Sequence, residues 1–302
     1  MILEIINGIS VIPDGVAVAL GAFDGIHIGH KKLIENIIEY AKQNGCKTCV
    51  FTFDVLPSGA KYIMSTNQRN KILADMGIDY LYIQHFDPGF KSMSAGEFMS
   101  KYLMQAKFIS VGFNFRFGAN RMGDTKMLEE FCTENHIEIN VEDPIMYDGE
   151  IVSSTLIRKA IKECDFDKVN AILGRPFCIE GIVVHGEALG RTMGFPTANL
   201  QIDASMSVPC EGVYVTATQV EGVLYKSFTN YGSKPTFEND KILLETHLFD
   251  FDGDLYGKEI KVYFMDKIRG IIKFSSIEAL KSQLLEDKSK ILKFFSKNGL
   301  QI

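Results

Sequence analysis

Two histidines stand three residues apart in the stretch GAFDGIHIGHKKLI, residues 21–34. An apolar run, VAVAL, precedes them, and Gly21 and Gly25 predict a tight turn between that strand and a helix that begins near His30. The N-terminal end of a helix favours an anion, because its free N–H groups carry partial positive charge. On that first turn His27 and His30 would add two donors that stabilise charge developing on a phosphoryl group. The pattern indicates phosphate chemistry, with buried structural histidines or a metal site as the alternatives.

A second candidate anion site lies in the segment IVSSTLIRK. Ser153 or Ser154 can cap a helix and leave N–H groups for the outer phosphates of a nucleotide, while Arg158 lies one turn further on with a fork of donors. An ordinary capped helix with a surface arginine explains the same residues. The segment alone leaves both interpretations open.

The second half of the chain contains a different set of phosphate-handling candidates. Gly186, Gly190 and Gly194 allow a loop to wrap a nucleotide, although the Gly-Lys-Ser/Thr pattern of a P-loop is absent from the sequence. Within GFPTAN, the Thr197 hydroxyl and the Asn199 amide oxygen are hard ligands that suit Mg²⁺ carried by ATP. A plain turn is the alternative, because Thr and Asn are common in turns.

Glu245 interrupts ILLETHLF, an apolar strand, so its carboxylate either points to solvent or is held for a chemical purpose. We favour the second explanation. His247 shares the same face of the strand and is expected to be structural or adjacent to a ligand. The run DFDGD, residues 250–254, lacks the downstream Glu of a calcium loop and predicts a hairpin turn.

The elements around these residues fall into two groups. In residues 1–177, short continuous apolar runs alternate with amphipathic segments, which predicts a doubly wound α/β domain whose ligand lies at the carboxyl ends of parallel strands. In residues 178–302, alternating strands separated by Gly, Pro and Asp predict an antiparallel β-barrel. We therefore predict two domains, the second ending in a helix capped by Ser275 or Ser276. The apolar face of this helix is expected to contain Ile277, Leu280, Leu284, Leu285, Ile291 and Leu292.

Composition limits the class of protein. A chain of 302 residues supplies about two domains, and a charged fraction of 23% with no apolar run near the roughly 20 residues of a membrane span predicts a soluble protein. The N-terminal sequence lacks a basic leader, so we expect a cytoplasmic location. The net charge of −6 gives no basic surface for nucleic acid, which leaves small ligands as the expected partners. Six cysteines form no disulfide framework, and neither a redox nor a zinc role is expected for the close pair Cys46 and Cys49.

Several motifs together resemble those of known families. HIGH at residues 27–30, after GAFDG, resembles the signature of the nucleotidylyltransferase superfamily. VGFNFRFGANRMGD and SSTLIRKAI are similar to the adenylyltransferase half of the bacterial bifunctional riboflavin kinase/FAD synthetases. HGEALGRTMGFPTANL, NYGSKPTF and LETHLFDFDGDLYGKEI resemble the flavokinase half of that family and occur in the same order. The resemblance extends over nearly the whole chain.

This resemblance implies a bifunctional enzyme of flavin cofactor biosynthesis. The second domain would phosphorylate riboflavin to FMN, and the first would transfer AMP from ATP to FMN, giving FAD and pyrophosphate, with magnesium-bound ATP serving both steps. In the family, the residue matching Glu245 takes a proton from the terminal ribityl hydroxyl of riboflavin. The resemblance also implies that Asn114 orients substrate near the transferred phosphate and that Arg269 binds flavin. The implied nucleotide-binding set is Gly21, Phe23, Asp24, Gly25, Asn114, Ser153, Ser154, Thr155, Arg158, Asp165, Gly186, Gly190, Arg191, Gly194 and Pro196.

The chain departs from the family's pattern at two flavin loops. FDVLP, residues 53–57, stands where the family commonly has Phe-x-Pro-His-Pro, which alters the loop expected to cover FMN. Gly270 and Ile271 follow Arg269 where an acidic pair is common, which removes charge from the expected lid over riboflavin. Both changes concern flavin binding rather than the phosphate-handling residues.

Two other functions are compatible with the predicted fold. One is a single-activity enzyme in which one domain is reduced to flavin binding, and the other is a non-catalytic flavin or nucleotide sensor. An aminoacyl-tRNA synthetase also carries HIGH, but this acidic chain lacks a KMSKS-like loop and a basic surface for RNA.

Overall fold

The computed structural model describes residues 2–8, 11–186, 190, 194–232 and 241–298. The chain divides into two compact units, Met1–Leu156 and Ile157–Ile302, and the division falls within helix α6 (Ser154–Glu163). The boundary predicted from the sequence lies further along the chain, after residue 177. In the part of the chain that is described, no helix is both long and apolar enough to cross a membrane.

The first unit alternates strands and helices. Its elements before α6 are β1 (Glu4–Asn7), β2 (Ala17–Leu20), α1 (Ile28–Asn44), β3 (Thr48–Phe53), α2 (Thr66–Asp75), β4 (Tyr80–Gln84), α3 (Pro88–Ser92), α4 (Ala95–Phe98), a π-helical turn (Met99–Leu103), β5 (Phe108–Gly112), a 3₁₀ turn (Ala119–Arg121), α5 (Thr125–Glu134), β6 (Glu138–Glu142), β7 (Met146–Tyr147) and β8 (Glu150–Ile151). The described strands β1-β4-β3-β2-β5-β6 pair in that order, each neighbour parallel. The predicted parallel α/β sheet is confirmed.

The sheet is covered on both faces, because successive residues of a central strand enter different cores. Val18 and Leu20 belong to the core that packs against α4, the π-helical turn and α5. Ala17 and Ala19 belong to the core that packs against α1 and α2. Strand β2 is buried along its whole length for this reason, which explains its uninterrupted apolar sequence.

The second unit is built around a closed antiparallel barrel. Its elements after α6 are α7 (Phe166–Leu173), β9 (Cys178–Val184), β10 (Ala198–Asp203), β11 (Gly212–Val220), β12 (Val223–Tyr231), β13 (Lys241–Leu248), β14 (Glu259–Arg269) and α8 (Ile277–Lys297). The described barrel strands pair in the order β10-β13-β12-β11-β14-β9. The predicted antiparallel barrel with a C-terminal helix is confirmed. The hairpin prediction for residues 250–254 is wrong, because β13 pairs with β10 and β12 while β14 pairs with β9 and β11.

Helix α8 packs on the barrel through a stripe that differs from the predicted one. Ser276 caps the helix, since its hydroxyl accepts the Ala279 N–H at 3.1 Å. The prediction was wrong for Ile277, Leu285 and Leu292, which are 68%, 54% and 39% exposed. The buried positions of the helix are Asp287, Ile291 and Phe295.

Candidate active sites

The parallel sheet has a crevice at its centre. Helix α1 follows β2 on one face, whereas α5 follows β5, the neighbour of β2, on the other. Connections that leave adjacent parallel strands on opposite faces open a crevice at the carboxyl ends of those strands, where ligands bind. The predicted histidine segment follows β2, and the exposed Asn114 follows β5.

The turn between β2 and α1 is strained. Phe23 and Ile26 have φ angles of 46° and 37°, a region that costs non-glycine residues of order 1–3 kcal/mol each. Gly25, at φ 85°, adopts such a conformation without that cost. Hydrogen bonds through Asp24 help to hold the turn: the Asp24 carboxylate accepts the Ile63 N–H at 2.9 Å, and the Asp24 carbonyl accepts the Ser154 hydroxyl at 2.8 Å. Surroundings that determine such a backbone are typical of a functional site.

The histidine pair lies at the start of α1. His27 is the N-cap, and its Nδ1 accepts the His30 N–H at 3.2 Å. In the neutral ring the proton is therefore on Nε2. The two rings stack with centroids 3.6 Å apart, and a Cβ on Gly29 would lie 3.2 Å from the His27 ring, which leaves little room for a larger residue there.

Burial, and then the charge of His27, hold the pKa of His30 well below its usual value. The ring is therefore neutral at physiological pH. Its Nδ1 is shielded from solvent and has no hydrogen-bond partner among the described residues. A buried polar atom without a partner at a helix N-terminus is consistent with a site that binds a ligand.

The start of helix α6 is held by both predicted serines. Ser153 caps it by accepting the Leu156 N–H at 3.2 Å, and Ser154 bonds the Asp24 carbonyl of the histidine turn. Arg158 lies four residues after Ser154 and thus on the same face of the helix. Thr155 is exposed.

Asp165 has a local structural role in the second unit. It is the N-cap of α7, and its carboxylate accepts the Lys168 N–H at 3.0 Å. Its predicted place at the nucleotide site stays a prediction.

The sequence did not single out Arg69, which lies under the end of β3. Its side chain is almost completely buried and donates from Nη1 to the Phe53 carbonyl at 3.1 Å. Its buried Nε has no hydrogen-bond partner among the residues described. Arg69 sits in an amphipathic helix without any local feature that distinguishes it from a surface arginine.

The FDVLP loop, which was expected to cover FMN, supplies one partner of an ion pair that the sequence did not reveal. Asp54 after β3 and His85 after β4 contact each other through Oδ2 and Nδ1. Burial raises the pKa of Asp54, but bonds from His85 and from the N–H groups of Phe86 and Val55 lower it overall. The same bond raises the pKa of His85. A carboxylate–imidazole pair thus lies where FDVLP lacks the family's Pro-His.

Three polar side chains form a row across adjacent strands of the barrel. Glu245 on β13 stands directly opposite Asn199 on β10 and Asn230 on β12. Directly paired residues share a face of the sheet, and Asn230 Nδ2 donates to Glu245 Oε2 at 3.2 Å. Asn199 is buried and Glu245 is half-buried. Asn230, inside the quoted NYGSKPTF motif, was missed, although the alternation of β12 could have placed it on this face.

The glycine loop approaches the row closely. A Cβ on Gly186 would lie 2.2 Å from the Asn199 side-chain nitrogen, and one on Gly190 would lie 2.2 Å from the Phe195 carbonyl oxygen. Gly194 has a φ of 81°, which favours glycine. Arg191 and residues 233–237 of NYGSKPTF lie outside the described residues.

His247 holds the segment that carries Thr197. Its Nδ1 donates to the carbonyl of the exposed Pro196 at 2.7 Å. Burial lowers the pKa of His247, so the ring is neutral with its proton on Nδ1. The ring packs among aromatic side chains, with centroids 5.1 Å from Phe228 and 5.3 Å from Phe195.

Arg269, the predicted flavin residue, forms a bidentate ion pair. Its Nε and Nη2 donate to Asp287 Oδ2 at 3.1 and 2.8 Å, and Asp287 is fully buried on α8. The pair joins the end of β14 to the C-terminal helix. Any role of Arg269 toward flavin stays a prediction.

The fold and the candidate sites together fit an enzyme with two phosphate-handling centres, one on a doubly wound sheet and one on a barrel. Known families match the two halves separately. Residues 10–156 match the FAD synthetase family, and residues 173–295 match the riboflavin kinase family.

Individual relatives cover both halves at once. The bifunctional riboflavin kinase/FMN adenylyltransferase of Escherichia coli strain K12 is 34% identical, with 93% of each chain covered. The protein of the same name from Listeria monocytogenes is 32% identical, with 92% of each chain covered. The present chain therefore belongs to the bifunctional riboflavin kinase/FMN adenylyltransferase family.

A solved structure extends the similarity to the fold. A protein from Streptococcus pneumoniae described as a macrolide-efflux protein has a TM-score of 0.85 at 32% identity, covering 96% of this chain and 98% of its own. The efflux role in that description is not carried to this chain, because both of its halves match enzyme families.

Proposed function

We propose that this chain makes FAD from riboflavin in two ATP-dependent steps. The barrel transfers the γ-phosphoryl group of ATP to riboflavin, giving FMN and ADP. The parallel-sheet unit transfers AMP from a second ATP to FMN, giving FAD and pyrophosphate. The observation that supports both steps is that each family match falls on its own stretch of chain, and each stretch contains its own candidate phosphate-handling residues.

In the kinase step, Glu245 is the base. Its carboxylate takes the proton of the terminal ribityl hydroxyl as that oxygen bonds to the γ-phosphorus, while the bond from γ-phosphorus to the bridging oxygen of ADP breaks. Asn230 orients the carboxylate through its bond to Oε2. General-base catalysis of this kind contributes roughly 10²- to 10⁴-fold in rate.

In the adenylyl transfer, a phosphate oxygen of FMN attacks the α-phosphorus of ATP, and pyrophosphate leaves. No covalent enzyme intermediate is needed. His27 and His30 donate hydrogen bonds to the phosphoryl oxygens on which charge grows. Arg158 and the capped start of α6 hold the outer phosphates, because cations and free helix N–H groups both favour them.

Magnesium enters as part of the ATP substrate. Thr197 and Asn199 supply neutral oxygen ligands, the class that suits Mg²⁺. In the described residues, no group of three or more His, Cys, Asp or Glu side chains could hold a metal ion. Mg²⁺ bound mainly by ATP phosphates fits this donor set better than zinc does. We expect the enzyme in the cytoplasm, where ATP is available.

The purified chain, incubated with riboflavin, ATP and Mg²⁺ and followed by chromatography, tests the proposal. FMN should appear first and FAD later, with chelation of divalent ions stopping both and Mg²⁺ restoring them. Product formation that stops at FMN, or that needs added FMN, would indicate a single-activity enzyme. Flavin binding without turnover would indicate a sensor, and a strict need for tightly bound zinc would contradict the metal assignment.

A further inference from the structure

A cysteine pair in the second unit lies apart from the residues proposed for catalysis. Cys164 stands between α6 and α7, and Cys210 stands two residues before β11. Although 46 positions separate them in sequence, their Sγ atoms are 2.8 Å apart. A disulfide bond is about 2.05 Å long, so a small approach of the two sulfurs would form one. Both are free thiols here.

The surroundings of the pair make the two sulfurs unequal. Lys267 Nζ lies 2.8 Å from Cys210 Sγ. The Tyr214 hydroxyl donates to the Cys210 carbonyl and lies 3.4 Å from Cys164 Sγ. Cys210 is exposed, whereas Cys164 is half-buried. An oxidant therefore reaches Cys210 first, with an ammonium group beside the sulfur.

The charge states support the same order. Burial raises the pKa of Cys210, but bonds from Cys164, Lys267 and Tyr214 outweigh it and lower the pKa overall. Burial raises the pKa of Cys164. Because the thiolate is the nucleophile, Cys210 is suited to attack and Cys164 to resolve. In contrast, burial raises the pKa of Cys49 and of Cys132 to about 12, which makes those thiols unreactive.

We propose that Cys210 and Cys164 are a modification site at which a hydroperoxide forms a reversible disulfide. The Cys210 thiolate attacks an oxygen of the hydroperoxide, an S–O bond forms and the O–O bond breaks, which leaves a sulfenic acid and an alkoxide or hydroxide that takes a proton from solvent. Cys164 sulfur then attacks Cys210 sulfur, the S–O bond breaks, and the departing hydroxide takes the Cys164 proton as water. The two cysteines are oxidised by two electrons, and the hydroperoxide is reduced by two.

The disulfide would tie the α6–α7 turn to the entry of β11. That strand pairs with β14, which carries both Lys267 and Arg269. A crosslink between such distant positions restricts the unfolded chain. The unfolding midpoint of this unit should rise by roughly 5 °C when the bond forms.

The test uses the full chain and hydrogen peroxide at stoichiometric amounts, followed by alkylation and non-reducing peptide mapping. The expected product has lost two hydrogen atoms and two alkylation sites, contains a peptide that joins Cys164 to Cys210, and reverts with dithiothreitol. In Cys164→Ser, a sulfenic-acid trap should label Cys210. Lys267→Met should slow the reaction roughly fivefold, and Lys267→Arg should retain it. As a control, Cys46→Ser, a change at a partly exposed cysteine of the first unit, should oxidise like the wild type.

Three results would overturn the proposal. Complete alkylation of both cysteines after peroxide treatment would show that no bond forms. A crosslink to a different cysteine would assign the chemistry elsewhere. A Lys267→Met variant that reacts at the wild-type rate would remove the lysine from the site. These readouts do not depend on flavin turnover, so they stay separate from a failure of the proposed enzymatic function.

Discussion

The two regions proposed to handle phosphate differ in design. In the first unit, the proposed chemistry rests on a strained turn and a helix N-terminus that present hydrogen-bond donors. In the barrel, it rests on three side chains fixed side by side by strand pairing, one of them a carboxylate. The first arrangement suits a reaction whose attacking phosphate is already an anion. The second suits a reaction whose attacking hydroxyl must lose a proton.

The largest effect is expected when the two histidine donors of the first unit are removed. In His27→Ala/His30→Ala, FAD formation from FMN should fall by more than about 10²-fold, because one such donor alone is worth about 3 kcal/mol, or roughly 10²-fold, in the transition state, and two are removed. Riboflavin phosphorylation should continue, so FMN accumulates. The test is to measure the rates of riboflavin phosphorylation and of FAD formation from FMN in this variant. The control is His136→Asn, because His136 lies at an exposed turn with a φ of 56°. Equal loss of both activities in a folded variant would contradict the comparison.

Removing the proposed base, Glu245, should affect riboflavin phosphorylation. Glu245→Gln keeps the size of the side chain but loses its basicity, so FMN formation should fall by roughly 10²-fold or more while FAD formation from FMN persists. Asn230→Ala should cost about tenfold in FMN formation, because the carboxylate loses its orienting bond. Glu259→Gln, an exposed position on a strand that does not pair with β13, is the matched control. Normal kinase activity in Glu245→Gln would remove this residue from its proposed role.

Some elements of the fold could be predicted from the sequence and others could not. The strand–turn–histidine segment was predictable, because β2 is buried on both faces and its glycines mark the turn. The start of α1 was misplaced by two residues, since His27 rather than a Ser or Asp caps the helix. Strands β1 and β6 were not predicted. They are edge strands with exposed or half-exposed residues, so they lack a continuous apolar signal.

Helix α5 was not predicted either, although Asp124, its N-cap, is a usable local signal. Other features could be found only in three dimensions. Asp287 looks like a solvent residue until its ion pair with Arg269 is seen. The same is true of Cys164 and Cys210, because proximity in the fold, and not spacing in sequence, brings them together.

The buried histidine of the first unit predicts a moderate effect of pH on stability. The pKa of His30 is lowered in the folded state, so the unfolded chain binds more protons below about pH 6.5. Its stability contribution is therefore complete above that pH and is lost as pH falls, by up to about 1.4 kcal/mol per unit. His247 acts with the same sign in the barrel, whereas the exposed His85, with its raised pKa, acts with the opposite sign.

Denaturant unfolding of the wild type and of His30→Gln between pH 7.5 and 5 measures this dependence. The variant should lose the part of the pH dependence of the unfolding free energy that comes from His30. Identical slopes in both proteins would mean that His30 is not buried in its neutral form.

The smallest effect is expected at Gly270 and Ile271, in the segment predicted to form a lid over riboflavin. In Gly270→Asp/Ile271→Glu, which restores the acidic pair common in the family, riboflavin should bind a few-fold more tightly, with ATP affinity unchanged. Among the described residues, no atom lies within 4 Å of a Cβ built on Gly270, so none of them obstructs the first substitution. Isothermal titration of both proteins checks this. Equal riboflavin affinities would show that charge at these positions is irrelevant to binding.

The independence of the two sites is tested most directly by mixing two defective variants. Glu245→Gln should lack the kinase step and His27→Ala/His30→Ala the adenylyl transfer, and neither alone should make FAD from riboflavin at a substantial rate. Mixed in equal amounts with ATP and Mg²⁺, they should restore FAD formation to within a few-fold of the wild type, because FMN made by one protein is used by the other. A mixture that makes no more FAD than the separate variants, although both are folded, would contradict two self-sufficient centres.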